Sequence, residues 1–323
     1  MAEKNGTVHF PTITDYEYFA DNPDNKTAIT SFTASRGIVT LKSRVDAADP
    51  SFLAAEPLIA EEMPEFLQEI LNADKIVTIG SFYVKIDLQN QRVLAIQSNK
   101  LDSYNDLVND NLRATGLLQF TMDDGNALEI MEGIEAGTGS INNYKDRIVK
   151  ISNNEVAELT MASGPSENII TDELFSCANP GGQERKENQA WGLEFAESSC
   201  PSPGNNMARN MGDLKLVYQK VVVYFSLIAK EKCRRVCVFG GSVNTSPTIS
   251  VDMFLSGTVT YKRCGWNDKS ANYTSNFTNS NEKSWRPFES SRRLANYNFT
   301  VQFNQRDTRS GTANFAAMNI RSN

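Results

Sequence analysis

Histidine is almost absent from this chain of 323 residues, in which His9 is the one example. A metal site with two histidines is therefore excluded, and a Ser–His–Asp triad would depend on His9 alone. His9 stands between Val8 and Phe10 in a polar stretch with no partner motif around it. We therefore interpret His9 as a structural or solvent-facing residue.

Long apolar runs are absent as well. No run approaches the roughly 18 apolar residues of a membrane-spanning helix, and the first residues lack the apolar core of a signal peptide. With 40% hydrophobic and 22% charged residues, the composition excludes a wholly disordered, collagen-like or coiled-coil protein. Because a virion component needs no leader, we expect an extracellular surface or a virion rather than the cytoplasm, in a chain without a signal peptide.

Cysteine is missing from the first half of the chain. Five cysteines follow, and this odd number leaves at least one thiol unpaired within a monomer. Cys177 and Cys200 flank a segment rich in proline and glycine, which makes them a candidate disulfide in an oxidising compartment. Cys233 and Cys237 are four residues apart, unlike the Cys-x-x-Cys spacing of zinc sites, and Cys264 has no nearby cysteine. The spacing therefore predicts no zinc site.

Cofactor-binding loops are also lacking. Residues 240–242 (Gly-Gly-Ser) follow a predicted strand, but a β pattern comes next instead of a helix, so they predict a hairpin turn and not a phosphate loop. The acidic stretch that begins at Asp123 and Asp124 and includes Glu129 does not have the order of a calcium-binding EF-hand. We expect no metal and no organic cofactor, with calcium left open because the loops are rich in oxygen ligands.

Charge is distributed unevenly along the chain. Residues 1–170 contain 13 Lys and Arg against 26 Asp and Glu, whereas residues 171–323 contain 19 against 13. Opposite net charges favour attraction between the halves or between copies of the chain. Two independent surface compositions explain the same numbers, and this simpler interpretation is favoured because charge alone specifies contacts weakly.

The first half predicts an extended arm followed by an acidic α+β domain. Residues 1–35 are polar and form the arm, and residues 36–160 form the domain. A helix is predicted over 61–72, where Pro64 suits the first turn and Phe66 belongs to the apolar stripe. A meander of three strands follows, at 75–79, 82–88 and 93–96. After the meander, a weaker helix is predicted over 101–112 and a loop over 123–143.

The second half predicts an irregular connector over 161–212, with a short strand at 191–195, and an antiparallel β domain over 213–323. Residues 214–229 are apolar on both faces, which is typical of a central strand. The remaining predictions are a Lys/Glu-rich turn after this strand, a strand over 248–261 with a bulge at Gly257, an Asn/Ser-rich loop over 265–290, and a strand over 295–303. The fold class is α+β and predominantly β, with an N-terminal helix-plus-meander domain and a C-terminal β-sandwich-like domain.

Two basic clusters in the second half form a candidate surface for a ligand or partner. The first is expected in an exposed turn, where it could bind phosphates or acidic sugars or discourage edge pairing. The second accompanies aromatic residues that could stack on sugars or bases, although packing under a loop is favoured. The residues are Lys230, Lys232, Arg234, Arg235, Trp285, Arg286, Arg292 and Arg293.

Several segments resemble uncharacterised exported or phage-associated proteins of Bacteroidota. The resemblance rests on residues 66–72 (Phe-Leu-Gln-Glu-Ile-Leu-Asn), 76–80 (Ile-Val-Thr-Ile-Gly) and 82–86 (Phe-Tyr-Val-Lys-Ile). Residues 218–230 and 261–265 (Tyr-Lys-Arg-Cys-Gly) resemble the same group, and the similarity covers about half of the chain. It implies a β-rich protein of a cell surface or particle, and it implies no activity. The missing leader departs from the exported members.

The leading hypothesis is a non-enzymatic structural or binding protein of a cell surface or phage-like particle, including self-assembly through complementary charge. It rests on strong β patterning without a nucleophile, metal or cofactor signature, so no catalytic residue is assigned. The expected partners are proteins, either copies of this chain or other surface components, and no strong nucleic-acid signal is present. The alternatives are a carbohydrate-active hydrolase that uses carboxylates such as Asp123, Asp124 and Glu129, and a toxin or cargo protein of a phage-like particle.

Overall fold

The chain divides into two compact units, and each unit combines segments that are distant in the sequence. Unit 1 comprises Met1–Phe175, Lys220–Phe225 and Glu289–Arg293. Unit 2 comprises Ser176–Gln219, Ser226–Phe288 and Leu294–Asn323. The computed structural model describes residues 1–22, 25–48, 50–99, 102–122, 127–137, 182–196, 207–237, 251–263, 268–277, 282–307 and 313–322.

Unit 1 contains a six-stranded sheet whose strands follow one another in chain order. The pairs are antiparallel except for β2 and β3, which are parallel. The predicted meander is confirmed, and Gly80 makes its first tight turn at a φ of 55°. The strands are β1 (Ala2–Lys4), β2 (Thr7–Phe10), β3 (Ile76–Ile79), β4 (Phe82–Asp87), β5 (Arg92–Gln97) and β6 (Leu118–Thr121).

Helices supply the rest of the core of unit 1. The aromatic rings of Phe10, Tyr16 and Phe66 are buried together, with centroids 5.4 Å and 6.0 Å apart along that series. The helices are α1 (Ile13–Ala20), α2 (Lys26–Arg36), α3 (Leu41–Asp46), α4 (Pro50–Ala55), α5 (Pro57–Glu62), α6 (Glu65–Ile70), α7 (Ser103–Val108) and α8 (Ala127–Glu135).

The N-terminal stretch expected to be an extended arm instead contains β1, β2, α1 and most of α2. Thr12 and Asp15 form a reciprocal capping box that starts α1. Val8 and Phe10 are fully buried in β2, which is hydrogen-bonded to β3. The polar residues of this stretch therefore belong to caps and exposed faces of a folded segment.

Two further local predictions for unit 1 are corrected. The helix expected over 61–72 is divided into α5 and α6, because Pro64 disfavours a helical conformation at Met63, whose ψ is 130°. The segment 123–143, expected to be loop, contains α8, whose apolar residues Leu128, Ile130 and Met131 are buried. The weaker helix expected over 101–112 is present as the shorter α7.

Unit 2 is a β-sandwich of two four-stranded sheets, as the sequence predicts. The sheet orders are β11-β10-β13-β14 and β12-β9-β8-β7. Trp285 of the second sheet packs between Tyr273 and Phe299 of the first, at centroid distances of 5.0 Å and 5.3 Å. The strands are β7 (Arg185–Ala196), β8 (Met207–Val221), β9 (Tyr224–Cys237), β10 (Val251–Arg263), β11 (Asp268–Phe277), β12 (Glu282–Ser290), β13 (Leu294–Asp307) and β14 (Ala313–Arg321).

The single central strand expected over 214–229 is wrong, because the chain reverses at Val222 and Val223 between β8 and β9. Hairpin turns usually carry Gly, Asn or Asp, which adopt a positive φ readily. Here Val222 has a φ of 40°. Both valines are buried in the apolar core of unit 1, so this turn is apolar and gives no polar signal in the sequence. The Lys/Glu-rich turn expected just after the strand is part of β9.

Other predictions for the second half are also corrected. The Asn/Ser-rich segment expected to be loop contains β11 and β12, and Tyr273 of β11 stacks on Trp285 of β12. The predicted connector contains β7 and the start of β8. Gly257 is not a bulge, because pairing of β10 stays in register there and shifts only between Lys262 and Arg263.

Candidate functional site

The first basic cluster lies along β9 and not in a turn. Lys230 forms an ion pair with Glu282 at 2.8 Å, and Arg234 forms one with Asp213 at 2.8 Å. Lys232 is exposed, and Arg235 lies in the same strand. Two of these four cations therefore already contact carboxylates of unit 2.

The second cluster is divided between the two units. Trp285 and Arg286 lie in β12, and Trp285 is packed inside the sandwich, as the favoured interpretation of the aromatic residues expected. Arg292 and Arg293 follow β12 and belong to unit 1. The eight candidate residues therefore belong to both units, and their role as a ligand or partner surface stays a prediction.

A concentrated polar site of unit 1 lies around Arg292. Its guanidinium contacts Glu17 Oε1 of α1 at 2.7 Å and Glu129 Oε1 of α8 at 3.1 Å. Beside it, Asp21 Oδ1 accepts hydrogen bonds from the Ser290 hydroxyl at 2.9 Å and from the Ser291 backbone N–H at 2.8 Å. We call these residues, Glu17, Asp21, Glu129, Ser290, Ser291 and Arg292, the Arg292 cluster.

Electrostatics in the Arg292 cluster are set by burial and by one shared cation. Burial raises the pKa of Glu17, and Arg292 opposes that rise. Burial likewise raises the pKa of Glu129, against the lowering effect of Arg292. One guanidinium thus forms ion pairs with two carboxyl groups, and the pKa values of both groups are raised.

The geometry of the Arg292 cluster is better suited to holding segment 289–293 against α1 and α8 than to proton transfer. A hydrolytic pair of carboxyl groups must face a substrate from two sides, one as acid and one as base or nucleophile. Here Glu17 and Glu129 both contact Arg292, and Asp21 is occupied by two serines. Of the carboxylates named for the hydrolase alternative, only Glu129 is in this cluster, and Asp123 and Asp124 lie outside the described residues.

A second attachment in unit 1 involves the turn between β8 and β9. The Tyr224 ring stacks on Phe66 at a centroid distance of 5.0 Å, and its hydroxyl donates to Glu289 Oε1 at 2.6 Å. The Val222 backbone N–H donates to the Met122 carbonyl at 2.7 Å. These contacts, with the Arg292 cluster, join the two late segments of the chain to the N-terminal part of unit 1.

The core of unit 2 contains one unusual acid, Glu231 of β9. The residue is fully buried, and within the described part of the chain neither carboxylate oxygen has a hydrogen-bond partner. Burial raises the pKa of Glu231 to about 7, and the neighbouring Gln305 acts in the opposite direction. An uncharged carboxylic acid is the form that such a site stabilises.

The cysteines and the histidine show no metal-binding arrangement in the described ranges. Cys233 is a buried thiol, and Cys237 is disulfide-bonded. Cys177, Cys200 and Cys264 lie outside those ranges, so their predicted roles stay predictions. His9 lies in β2 opposite Thr78, and burial, Lys4 and the N-terminal amine lower its pKa. Among the described residues, no group of three or more His, Cys, Asp or Glu could hold a metal ion.

Sequence reasoning named Arg292 but missed most of its partners. Glu17 and Asp21 lie in a segment expected to be an arm, and the contact of Glu17 with Arg292 spans most of the chain. No spacing rule connects such distant residues. Glu231 stands between Lys230 and Lys232 and looks like a solvated charge, although its alternation with buried Cys233 in a β pattern was an available signal.

Comparison of the chain with protein-family models, with curated proteins and with solved structures finds no match. A search of the described helices finds none long and apolar enough to cross a membrane. Arguments about function therefore rest on the geometry of the two units.

Proposed function

We propose that this chain is a non-enzymatic structural or binding protein of a cell surface or phage-like particle, which acts through contacts with copies of itself or with other surface components. The observation that carries the proposal is the Arg292 cluster. Its titratable groups, which would be the first candidates for acid–base chemistry, are engaged with one another and with the segment 289–293. Such an arrangement supports a structural role for these groups, in which they stabilise the fold of unit 1.

The disulfide at Cys237 supports a location outside the reducing cytosol. Disulfides persist in secreted, periplasmic, cell-surface and virion proteins and are rare in the cytosol. Cys237 ends β9, at the edge of the sandwich core that contains Cys233. A covalent link there favours a protein built for an oxidising environment, in agreement with the resemblance to exported and phage-associated proteins.

Charge supports the assembly part of the proposal. The acidic first 170 residues and the basic remainder give opposite signs on one chain. Complementary charge steers association and depends strongly on salt, because the Debye length falls from about 10 Å at 0.1 M to about 3 Å at 1 M. Assembly through charge should therefore weaken as salt is added.

The decisive experiment combines mass measurement with a turnover screen. Light scattering after size-exclusion chromatography should show oligomers at high protein concentration in low salt that dissociate in 1 M salt, a condition chosen for its roughly 3 Å Debye length. A compact monomer in every condition contradicts assembly. Turnover of a polysaccharide that is lost in Glu129→Ala and kept in Glu282→Ala contradicts the non-enzymatic proposal and favours the hydrolase.

A further inference from the structure

The outer face of the sheet β11-β10-β13-β14 has a composition unlike the rest of the chain. Alternate residues of each strand point away from the sandwich core, as the burial pattern of β10 and β13 shows. In the middle of the face these residues are small and uncharged. Across β11, β10, β13 and β14 they form the registered rows Asn272, Thr258, Thr300 and Asn319, and then Thr274, Ser256, Gln302 and Ala317.

Two phenylalanines lie in the next row of the same face. Phe254 of β10 is opposite Asn304 of β13, and Asn304 is opposite Phe315 of β14. Phe315 is 63% exposed and Phe254 is partly buried. Two strand spacings separate the backbones of the two phenylalanines by roughly 10 Å. A flat surface therefore presents two aromatic side chains with an amide between them.

Three polar side chains of this face, Asn319, Asn298 and Thr300, are hydrogen-bonded to one another. The Asn319 amide donates to Asn298 Oδ1 at 2.7 Å and to Thr300 Oγ1 at 2.7 Å, both on the neighbouring strand. Groups fixed in this way lose little conformational entropy when a ligand binds. Charged residues lie outside the two central rows: Asp252 is opposite Arg306, Lys262 is opposite Asp268, and Arg321 is opposite the uncharged Asn298.

The lack of charged residues in the two central rows limits the class of partner. Nucleic acids and anionic lipid surfaces require exposed Lys and Arg, which the centre of this face does not contain. Protein interfaces are enriched in aromatic residues, Met and Arg and depleted in Ser, whereas this face, apart from its two phenylalanines, is mainly Thr, Asn and Ser. A neutral sugar chain has hydroxyl groups that match fixed amides and hydroxyls, and its apolar C–H faces pack on aromatic rings.

We propose that the outer face of the sheet β11-β10-β13-β14 is a binding surface for an uncharged, extended glycan, with Phe315 and Phe254 under two of its sugar rings and Asn304, Gln302 and Thr300 contacting its hydroxyls. This inference rests on the proposed function as a binding protein and specifies its ligand class. The site uses no residue of the Arg292 cluster.

The test uses the full chain and a printed array of neutral and acidic oligosaccharides. Affinity electrophoresis in gels that contain soluble galactomannan and a pull-down on microcrystalline cellulose follow the array. We expect retention by at least one neutral glycan, a loss of at least ten-fold in affinity for Phe315→Ala, and a smaller loss for Phe254→Ala. Tyr18→Ala is the matched control, because Tyr18 is a 61% exposed aromatic residue of unit 1.

The outcomes separate this inference from the proposed function. If no neutral glycan is retained, if only acidic glycans are retained, or if Phe315→Ala binds as the unchanged chain does, the glycan surface is wrong while salt-sensitive assembly still stands. If glycan is bound through Phe315 and is also hydrolysed, the surface is right and the non-enzymatic proposal fails. Unchanged thermal melting of Phe315→Ala, an exposed position, confirms that a loss of binding is not a loss of folding.

Discussion

The Tyr16 hydroxyl donates a hydrogen bond of 2.9 Å to the backbone carbonyl of Val223, a residue 207 positions later in the chain. Both residues are fully buried. Burial raises the pKa of Tyr16 well above its ordinary value, so the hydroxyl keeps its proton and remains a donor. An unpaired carbonyl at this depth would be costly, and the bond therefore fixes the apolar turn within unit 1.

Replacing Val223 with Asp should unfold unit 1. The substitution places an unpaired charge in the apolar core, one of the mechanisms that produce losses above about 4 kcal/mol. Urea unfolding followed by circular dichroism measures the loss. Val39→Asp is the control, because Val39 is 57% exposed and the same change there should alter stability by about 0.5 kcal/mol or less. Equal effects at both positions would contradict the burial of the turn.

Arg292→Ala should destabilise unit 1 in a pH-dependent way. The change leaves two largely buried carboxyls, Glu17 and Glu129, without their shared cation, and we expect a loss of about 2–3 kcal/mol at pH 7.5. Their pKa values, already raised, rise further in the variant, so the variant's carboxyls take up protons more readily as pH falls and the loss is smaller at pH 5 than at pH 7.5.

Urea unfolding at both pH values checks the Arg292 prediction. Arg185→Ala is its control, since Arg185 and Glu187 form an ion pair whose side chains are 44% and 46% exposed. Such pairs contribute little, and no pH-dependent loss of similar size is expected there. A loss for Arg292→Ala that is identical at pH 5 and pH 7.5 would show that packing, and not charge, explains the effect.

Glu231→Gln should stabilise unit 2 at neutral pH and not in acid. The fold raises the pKa of Glu231 from its ordinary value of 4.5 to about 7. Below pH 4.5 both the folded and unfolded states bind the proton, and between the two pKa values the unfolded state releases it first, so stability falls as pH rises. At 1.36 kcal/mol per unit, the penalty above pH 7 is on the order of 3 kcal/mol.

The Glu231 prediction is checked by the free energy of unfolding between pH 4 and pH 8. The unchanged chain should lose stability over this interval, and Glu231→Gln should flatten the curve. Glu187→Gln is a control of opposite sign, because burial raises the pKa of Glu187 but Arg185 and Lys215 together outweigh it and lower that pKa. If Glu231→Gln leaves the slope unchanged, the buried acid is not the source of the pH dependence.

Gly257→Ala should disturb the packing of Trp285. An added Cβ would lie 2.6 Å from Trp285 Cζ3 and 2.7 Å from the Thr300 carbonyl oxygen, closer than real contacts allow. We expect a loss of about 1–3 kcal/mol from this overpacking, with a shift in tryptophan fluorescence. Ser256→Ala, on the outer face of the same strand, should leave both measurements nearly unchanged. A neutral result for Gly257→Ala would mean that the sheets can separate locally.

The strands that the sequence predicted are those whose burial is visible in the alternation of their own apolar and polar residues. β10 and β13 alternate buried apolar residues with more exposed polar ones, and that period is visible locally. β2 was missed because its stability comes from pairing of His9 with Thr78, far along the chain. The turn at Val222 was missed because its environment, the core of unit 1, is absent from any local window.

The candidate site was predictable only in its composition. The sequence drew attention to Arg292 as a basic residue, but whether it meets a ligand or Glu17 depends on contacts across most of the chain. Glu231 and its lysine neighbours have the same local polarity, yet one is buried and the others are not. A periodic pattern shows which side of a strand is apolar, whereas the partner of an individual charge is set by the tertiary fold.

Unit 1 combines early and late segments of the chain, and this affects when the unit can be completed during synthesis. Phe66 leaves the ribosome long before Tyr224, the ring that stacks on it, and at roughly 5–20 residues per second the interval is on the order of ten to thirty seconds. Throughout this time the nascent N-terminal segment lacks the turn at 222–223 and the Arg292 guanidinium. The unit that is synthesised first therefore receives its apolar turn only after β7 and β8 have been translated and its Arg292 cluster only after β12, and a chaperone has its longest opportunity to act there.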